Sequence, residues 1–127
     1  MNLSEEKIKE TEQNLKTGLL IGLDEKIEVI DKGDYWEKFI IFNNQVRGYY
    51  YYTTKHIVFI GGAFGSTMWS VPYESIKSIK RSNVSLFIPT GIKIEFFDEK
   101  KNRLKKYKMS VLKREKWIKF IEDKMNK

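Results

Sequence analysis

Alternation of apolar and polar residues is the feature that most constrains how this chain folds. Ile92, Ile94 and Phe96 alternate with polar residues, and the same period of two recurs in short segments between Ile27 and Met109. Because successive side chains of a strand point to opposite faces of a sheet, this period predicts strands with one buried face. About seven such strands at hairpin spacing predict a mainly β domain around a single core.

A helix is predicted before the first strand, in residues 4–17. Ser4 is suited to cap its N-terminus, and Ile8, Leu15 and Leu19 form a narrow apolar stripe at helical spacing. Such a stripe is able either to dock on the domain or to pair with a partner, and the sequence leaves both alternatives open.

A second helix is predicted after the last strand, from about Val111 to Lys124, with Ser110 as its cap. Trp117 and Ile121 recur at the spacing that aligns side chains on one face of a helix. The whole apolar face comprises Leu112, Trp117, Ile118, Ile121 and Met125. We expect this helix to close one end of the β core, with Trp117 as the plug.

Composition limits the classes of protein to which the chain can belong. Its 127 residues are 41% hydrophobic and 14% aromatic, which is enough for one core. The absence of cysteine excludes disulfides and thiolate metal sites, and the single histidine, His56, cannot form a His-rich metal site alone. No apolar run is long enough to span a bilayer, and the first residues do not resemble a secretory signal. We expect a cytoplasmic protein, or one peripheral at the inner face of the membrane, without metal or cofactor.

Positive charge is concentrated in the last quarter of the chain. Residues 98–127 contain 12 basic and 5 acidic residues, which accounts for the whole net charge of +7. Such asymmetry indicates an anionic partner, although lysine on solvated strands also keeps small domains soluble. The candidate lipid- or anion-binding residues are Lys100, Lys101, Arg103, Lys105, Lys106 and Lys108. On a strand, Lys106 and Lys108 are expected to point to the same side.

Other motifs support weaker hypotheses. The Gly61–Ser66 loop follows a strand but lacks the Gly-Lys-Ser/Thr of a phosphate-binding loop. His56 has no nucleophile or carboxylate near it in the sequence, so a surface histidine is expected rather than a catalytic one.

In Tyr49–Tyr52 one alternate pair is expected in the core, and the neutral surroundings argue against nucleic-acid binding. Trp36 and Phe64 are predicted in loops, where three alternatives stay open: insertion at a membrane interface, packing on the rim of the β core, or contact with a partner.

An ordered series of short motifs runs from Gly48 to Ile121. The series comprises Gly48 with Tyr50, Tyr52 and Thr53; Ile57 with Phe59; Phe64-Gly65; Val71-Pro72-Tyr73 with Ile76 and Ile79; and Pro89 with Ile92 and Ile94. In this order the motifs, followed by a basic strand and a closing helix, resemble a GRAM domain, a branch of the pleckstrin-homology-like superfold. Each motif alone is degenerate, and their order carries the resemblance.

The resemblance implies a seven-stranded bent barrel of two orthogonal antiparallel sheets, capped by a C-terminal α-helix. Residues 1–22 are then an additional N-terminal helical extension and residues 23–127 the domain itself. The composition, rich in Lys, Ile and Asn, favours a bacterial source. Lipid-binding relatives in the superfold often cluster basic residues on the first two strands. Here those strands offer Lys32, Lys38 and Arg47 among Asp31, Asp34 and Glu37.

The function expected from these patterns is binding without catalysis. One hypothesis is a module that contacts anionic lipid, such as phosphoinositide head groups, at a cytosolic membrane surface. The alternative is a protein-interaction or scaffold module, either monomeric or homo-oligomeric, that uses the N-terminal helix and an exposed strand edge. No catalytic residue is assigned, because no nucleophile or acid–base pair is visible in the sequence.

Overall fold

The computed structural model describes residues 4–39, 42–82 and 90–126, and these ranges contain two α-helices and seven strands. The elements are α1 (Glu5–Thr17), β1 (Ile27–Phe39), β2 (Phe42–Thr53), β3 (His56–Gly61), β4 (Thr67–Pro72), β5 (Ile76–Ser82), β6 (Gly91–Asp98), β7 (Arg103–Val111) and α2 (Arg114–Met125). Short 3-10 turns at Ala63–Gly65 and Tyr73–Ser75 follow β3 and β4. Pro89, used above in the series of motifs, lies outside the described residues.

The seven strands form one antiparallel sheet with the order β4-β3-β2-β1-β7-β6-β5. The mainly β class with a helix at each end is therefore confirmed. The two halves that the resemblance describes as separate sheets are joined by hydrogen bonds between β1 and β7. This joint is short, running from Gly33 opposite Val111 to Trp36 opposite Lys108.

The core lies on the inner face of this sheet and is closed by α2. The largest fully buried side chains of this core are Tyr50, Tyr52, Ile57, Phe59, Val71, Ile92, Ile94, Met109 and Ile121. Tyr50 and Tyr52 are thus the buried pair of the tyrosine run. Trp117 is only 3% exposed, which confirms its predicted place as the plug.

The N-terminal segment packs on the outer face of the sheet. Leu15 of α1 and Ile21 form a second apolar cluster with Val58 of β3. The backbone N–H of Ile27 donates to Glu12 Oε1 at 2.6 Å, and the Ser70 hydroxyl donates to the Leu20 carbonyl at 2.5 Å. Of the predicted stripe, Leu15 is therefore buried within the chain. The boundary between residues 1–22 and 23–127 stays a prediction.

The predicted ends of both helices differ from the structure. The α1 helix ends at Thr17, and Leu19, placed above in its stripe, has φ 61° and is 90% exposed. The α2 helix begins at Arg114 rather than Val111, because Val111 is a buried residue of β7 that pairs with Gly33. Leu112 is exposed instead of lying on the apolar face.

The predicted cap of the second helix is also wrong. The Ser110 hydroxyl hydrogen-bonds to Thr90 Oγ1 at 2.8 Å, so it ties β7 to the start of β6. The residue before α2 is Lys113, whose left-handed φ of 56° turns the chain from the sheet into the helix.

Candidate lipid-binding surface

The β6–β7 hairpin carries the six basic residues singled out in the sequence. Its turn is held by Asp98, whose Oδ1 accepts hydrogen bonds from the backbone N–H groups of Lys100 and Lys101 at 3.0 and 3.3 Å. In the ladder Asp98 lies opposite Arg103. Aspartate is well suited to this role, since its short side chain reaches backbone groups two and three residues ahead.

Two of the six basic side chains are paired with acidic residues. Lys105 Nζ lies 2.9 Å from Asp98 Oδ2, and this hydrogen bond is the main cause that holds the pKa of Asp98 below its ordinary value. Lys106 Nζ lies 3.8 Å from Glu95 Oε2 across the ladder. These two lysines therefore contribute less net positive potential than the sequence indicates.

The other four basic residues lie in two different places. Lys100, Lys101 and Arg103 are exposed at the tip, and no carboxylate of the described residues lies within 4.0 Å of their charged groups. Lys108 is half-buried farther along β7, opposite Lys93 on one side and Trp36 on the other. Alternation places Lys106 and Lys108 on the same, outer face of the sheet, as the sequence predicts.

Trp36 does not lie in a loop, which corrects the prediction. The β1–β2 ladder continues to Phe39, so Trp36 is a strand residue opposite Gln45 as well as Lys108. It is half-buried, and its indole Nε1 is buried without a hydrogen-bond partner among the described residues. Pairing with β2 and β7 keeps this segment in the sheet, and such tertiary pairing overrides local sequence preference.

Phe64 does lie in a loop, within the turn that follows β3. Its side chain is fully exposed and its φ of 56° is left-handed. The loop is anchored beside β2, because the Gly62 N–H donates to the Arg47 carbonyl at 3.0 Å. The structure thus places Phe64 and Trp36 on different elements, with only Trp36 next to a candidate lysine.

His56 is not free in solvent, as the sequence predicts for it, because it contacts a carboxylate. It does lie on the outer face of β3, but its Nδ1 is 2.9 Å from Glu25 Oε1. The Glu25 carboxylate also accepts hydrogen bonds from the Thr53 hydroxyl at 2.8 Å, from the Lys55 N–H at 3.1 Å and from the Gly22 N–H.

The donors around Glu25 outweigh the effect of its burial. Burial alone raises the pKa of this carboxyl, whereas the hydrogen bonds from Gly22, His56 and Thr53 lower it, and the net direction is down. Sequence reasoning missed this cluster because Glu25 and His56 lie in separate elements. The cluster ties the N-terminal segment to the β2–β3 turn, and its geometry indicates a structural role.

A cleft of about 440 Å³ separates the N-terminal segment, the β4 edge and the β6–β7 tip. Leu20, His56, Ser70, Pro72 and Lys100 are among its lining residues. The Ser70 hydroxyl donates to the Leu20 carbonyl. Within the described ranges, no cluster of three or more His, Asp or Glu side chains is placed to hold a metal ion.

No helix in the described part of the chain is long and apolar enough to cross a bilayer. No protein-family model matches the sequence, and no characterised protein matches it significantly.

Solved structures with this architecture share little sequence with the chain. The C-terminal domain of an unknown protein from Leishmania infantum aligns over 94% of this chain and 99% of its own, with a TM-score of 0.68 and 16% identity. The hSac2 domain of the human phosphoinositide phosphatase Sac2 aligns over 98% and 85%, with a TM-score of 0.62 and 9% identity. A Shewanella loihica protein with a pleckstrin-homology domain aligns over 98% and 99%, with a TM-score of 0.53 and 14% identity.

Proposed function

Because the chain has a pleckstrin-homology-like fold, we propose that it is a non-catalytic binding module for anionic lipid, including phosphoinositide head groups, at the inner face of a membrane. The fold by itself is consistent with a binding scaffold but does not identify the ligand, since one fold serves many functions. The GRAM resemblance of the sequence agrees with the proposal and stays a prediction.

The observation that carries the proposal is the exposed positive charge of the β6–β7 hairpin that no carboxylate of the described residues pairs. Lys105 and Lys106 form ion pairs with acidic neighbours. Lys100, Lys101 and Arg103 are exposed and are not part of these two pairs. Each basic group near an anionic bilayer contributes about 1 kcal/mol of attraction. Three such groups together favour attachment by roughly 3 kcal/mol, which corresponds to a factor of about 150 in affinity.

Sedimentation with lipid vesicles tests this function. We expect the protein to pellet with vesicles that contain phosphatidylglycerol or a phosphoinositide, and to stay in the supernatant with phosphatidylcholine alone. Raising the salt concentration is expected to release the protein, because salt screens the attraction between exposed charges. Equal pelleting with neutral vesicles, or no pelleting with any composition, would refute the lipid function.

A protein-interaction module is the second candidate, and exposed apolar side chains favour it. Leu19, Leu23 and Met68 are large apolar residues that the described part of the chain leaves exposed. Strand β4 is an edge of the sheet, where an extended peptide is able to add a strand. Light scattering of the whole chain tests the homo-oligomeric form of this idea, because a monomeric mass over a wide concentration range would exclude it.

A further inference from the structure

Three lysines that are far apart in the sequence form one row across the sheet. In the register, Lys80 of β5 lies opposite Lys93 of β6, and Lys93 lies opposite Lys108 of β7. Directly paired residues of neighbouring strands project from the same face, and neighbouring strands are about 4.8 Å apart. The row therefore spans about 10 Å, and Trp36 of β1 continues it beyond Lys108.

The described part of the chain contains no acidic group that neutralises the row. No carboxylate of the described residues lies within 4.0 Å of the ammonium groups of Lys80, Lys93 or Lys108, although Glu95 pairs with Lys106 on the same face. Like charges that face each other across strands destabilise a sheet. A row of three thus opposes folding, and binding to an anionic partner would relieve the repulsion.

Apolar side chains lie on the same face as the row, beyond the Lys106–Glu95 pair. Leu104 and Phe97 lie opposite each other in the β6–β7 ladder, two positions along from the Lys106 and Glu95 pair. Leu104 is 54% exposed, whereas most other apolar residues of the sheet are covered. A bilayer surface offers negative charge and an apolar phase side by side, which a soluble polyanion does not.

We propose that the outer face of β5, β6 and β7 is the surface that lies on an anionic bilayer, with the lysine row on the head groups and Leu104 at the interface. This inference rests on the proposed lipid function and adds its location. The lysines form a row on an open face of the sheet and do not line a pocket. The surface therefore recognises the density of negative charge more than the identity of the head group.

Three double variants with the same change in charge test this location. The row variant is Lys80→Glu with Lys93→Glu, the tip variant is Lys100→Glu with Lys101→Glu, and the control is Lys7→Glu with Lys9→Glu on the exposed face of α1. Each lowers the net charge from +7 to +3. Any difference between them in vesicle affinity therefore reports position and not total charge.

We expect the row variant to lose affinity for phosphatidylglycerol vesicles by at least about 30-fold, because two basic groups each contribute a factor of about 5. The tip variant is expected to lose affinity as well, because each exposed tip lysine contributes about 1 kcal/mol, and the control variant is expected to lose least. A row variant that binds as well as the control would overturn the location. If the tip variant alone lost binding, the location would fail and the lipid function would stand. A wild-type protein that bound no anionic vesicles would refute the lipid function itself.

A single variant separates binding from folding. Lys93→Glu places a carboxylate between Lys80 and Lys108, so its thermal midpoint is expected to rise while its vesicle affinity falls. A purely structural role for Lys93 would move both measurements in the same direction, which would contradict the inference.

Vesicles with equal fractions of phosphatidylserine or phosphatidylglycerol are expected to bind equally, and a strong preference for one would contradict charge-density recognition. Loss of binding to a duplex oligonucleotide in the row variant, with vesicle binding unchanged, would assign the row to nucleic acid instead.

Discussion

Tyr52 of β2 and Trp117 of α2 stack face to face, with ring centroids 4.4 Å apart and planes 3° apart. This contact joins the end of β2 to the helix that closes the core, and Phe120 packs edge-on against both rings. Offset or stacked aromatic pairs stabilise beyond the area that they bury. The pair therefore holds α2 against the inner face of the sheet.

We expect Trp117→Ala to lower the free energy of unfolding by about 3–5 kcal/mol, because it leaves a large cavity under the helix. Urea denaturation measures the change. Lys119→Ala on the exposed face of the same helix is the control and is expected to cost less than about 0.5 kcal/mol. A loss below about 1 kcal/mol for Trp117→Ala would show that the helix does not close the core.

Gly48 and Gly61 face each other in the β2–β3 ladder. A Cβ on Gly48 would lie 2.6 Å from the Gly61 Cα and closer still to the Ile60 carbonyl oxygen, both of which belong to the backbone. We expect Gly48→Ala to destabilise the fold by roughly 1–3 kcal/mol, since the strands have to move apart.

Gly18→Ala is the matched control for this close approach. Its nearest neighbour would be the Asn14 carbonyl oxygen at 3.4 Å, and its φ of −79° is open to alanine. Its stability is expected to stay within about 1 kcal/mol of the wild type. Equal midpoints in urea for both glycine variants would rule out the strand contact as the constraint.

Leu15 tests whether the N-terminal helix is part of the folded unit. The side chain is buried against Val58, so Leu15→Ala is expected to cost about 2–5 kcal/mol. Leu19→Ala is the control, because Leu19 is exposed, and its effect is expected within about 0.5 kcal/mol. If both leucine variants melted at the wild-type temperature, the helix would be a loosely attached extension.

Glu25 gives a prediction for pH. Its pKa in the folded protein is below the ordinary value of 4.5, so at acid pH the unfolded chain takes up a proton before the folded chain does. The stabilisation is therefore fully present above pH 4.5 and is lost as the pH falls through the folded pKa. Thermal midpoints of the wild type are expected to drop more steeply with acid than those of Glu25→Gln.

The Glu25→Gln variant is also expected to be less stable at neutral pH by about 1–3 kcal/mol, because its donors lose a charged acceptor. Glu74→Gln, at an exposed glutamate, is the control and is expected to follow the wild-type pH profile. Identical acid slopes for Glu25→Gln and the wild type would mean that the Glu25 hydrogen bonds do not contribute to stability.

Most of the core was predictable from periodicity. Ile92 and Ile94 are buried, as predicted, because alternate residues of a strand share a face, and this rule needs no knowledge of neighbouring strands. The same rule predicted one buried pair in the tyrosine run, and the structure decided that the pair is Tyr50 and Tyr52. Trp117 was predictable for the same kind of reason, since its helical spacing places it with Ile121. The errors occur at ends of elements, such as Val111 and Leu19, where pairing with a neighbour decides how far an element continues.

The candidate surface was predictable only in part. A run of lysines indicated the β6–β7 hairpin, but their ion pairs depend on which acidic residue each lysine meets across the ladder. Asp98 and Glu95 neutralise Lys105 and Lys106 because of the register of β6 and β7. Lys93 is a single polar residue between Ile92 and Ile94, and Lys80 is one of three basic residues of β5, so the sequence pattern did not predict either as part of a binding surface.

By itself the sequence determined which side chains of a strand or helix share a face, along with the class of the fold and the excess of positive charge. These are local properties, set by the period of two in a strand and the period of 3.6 in a helix. The tertiary structure alone decided which outward residues become neighbours, such as Lys80 with Lys93 and Glu25 with His56. The reason is that strand order and register bring together residues that are far apart in the chain, and neither is encoded by local periodicity.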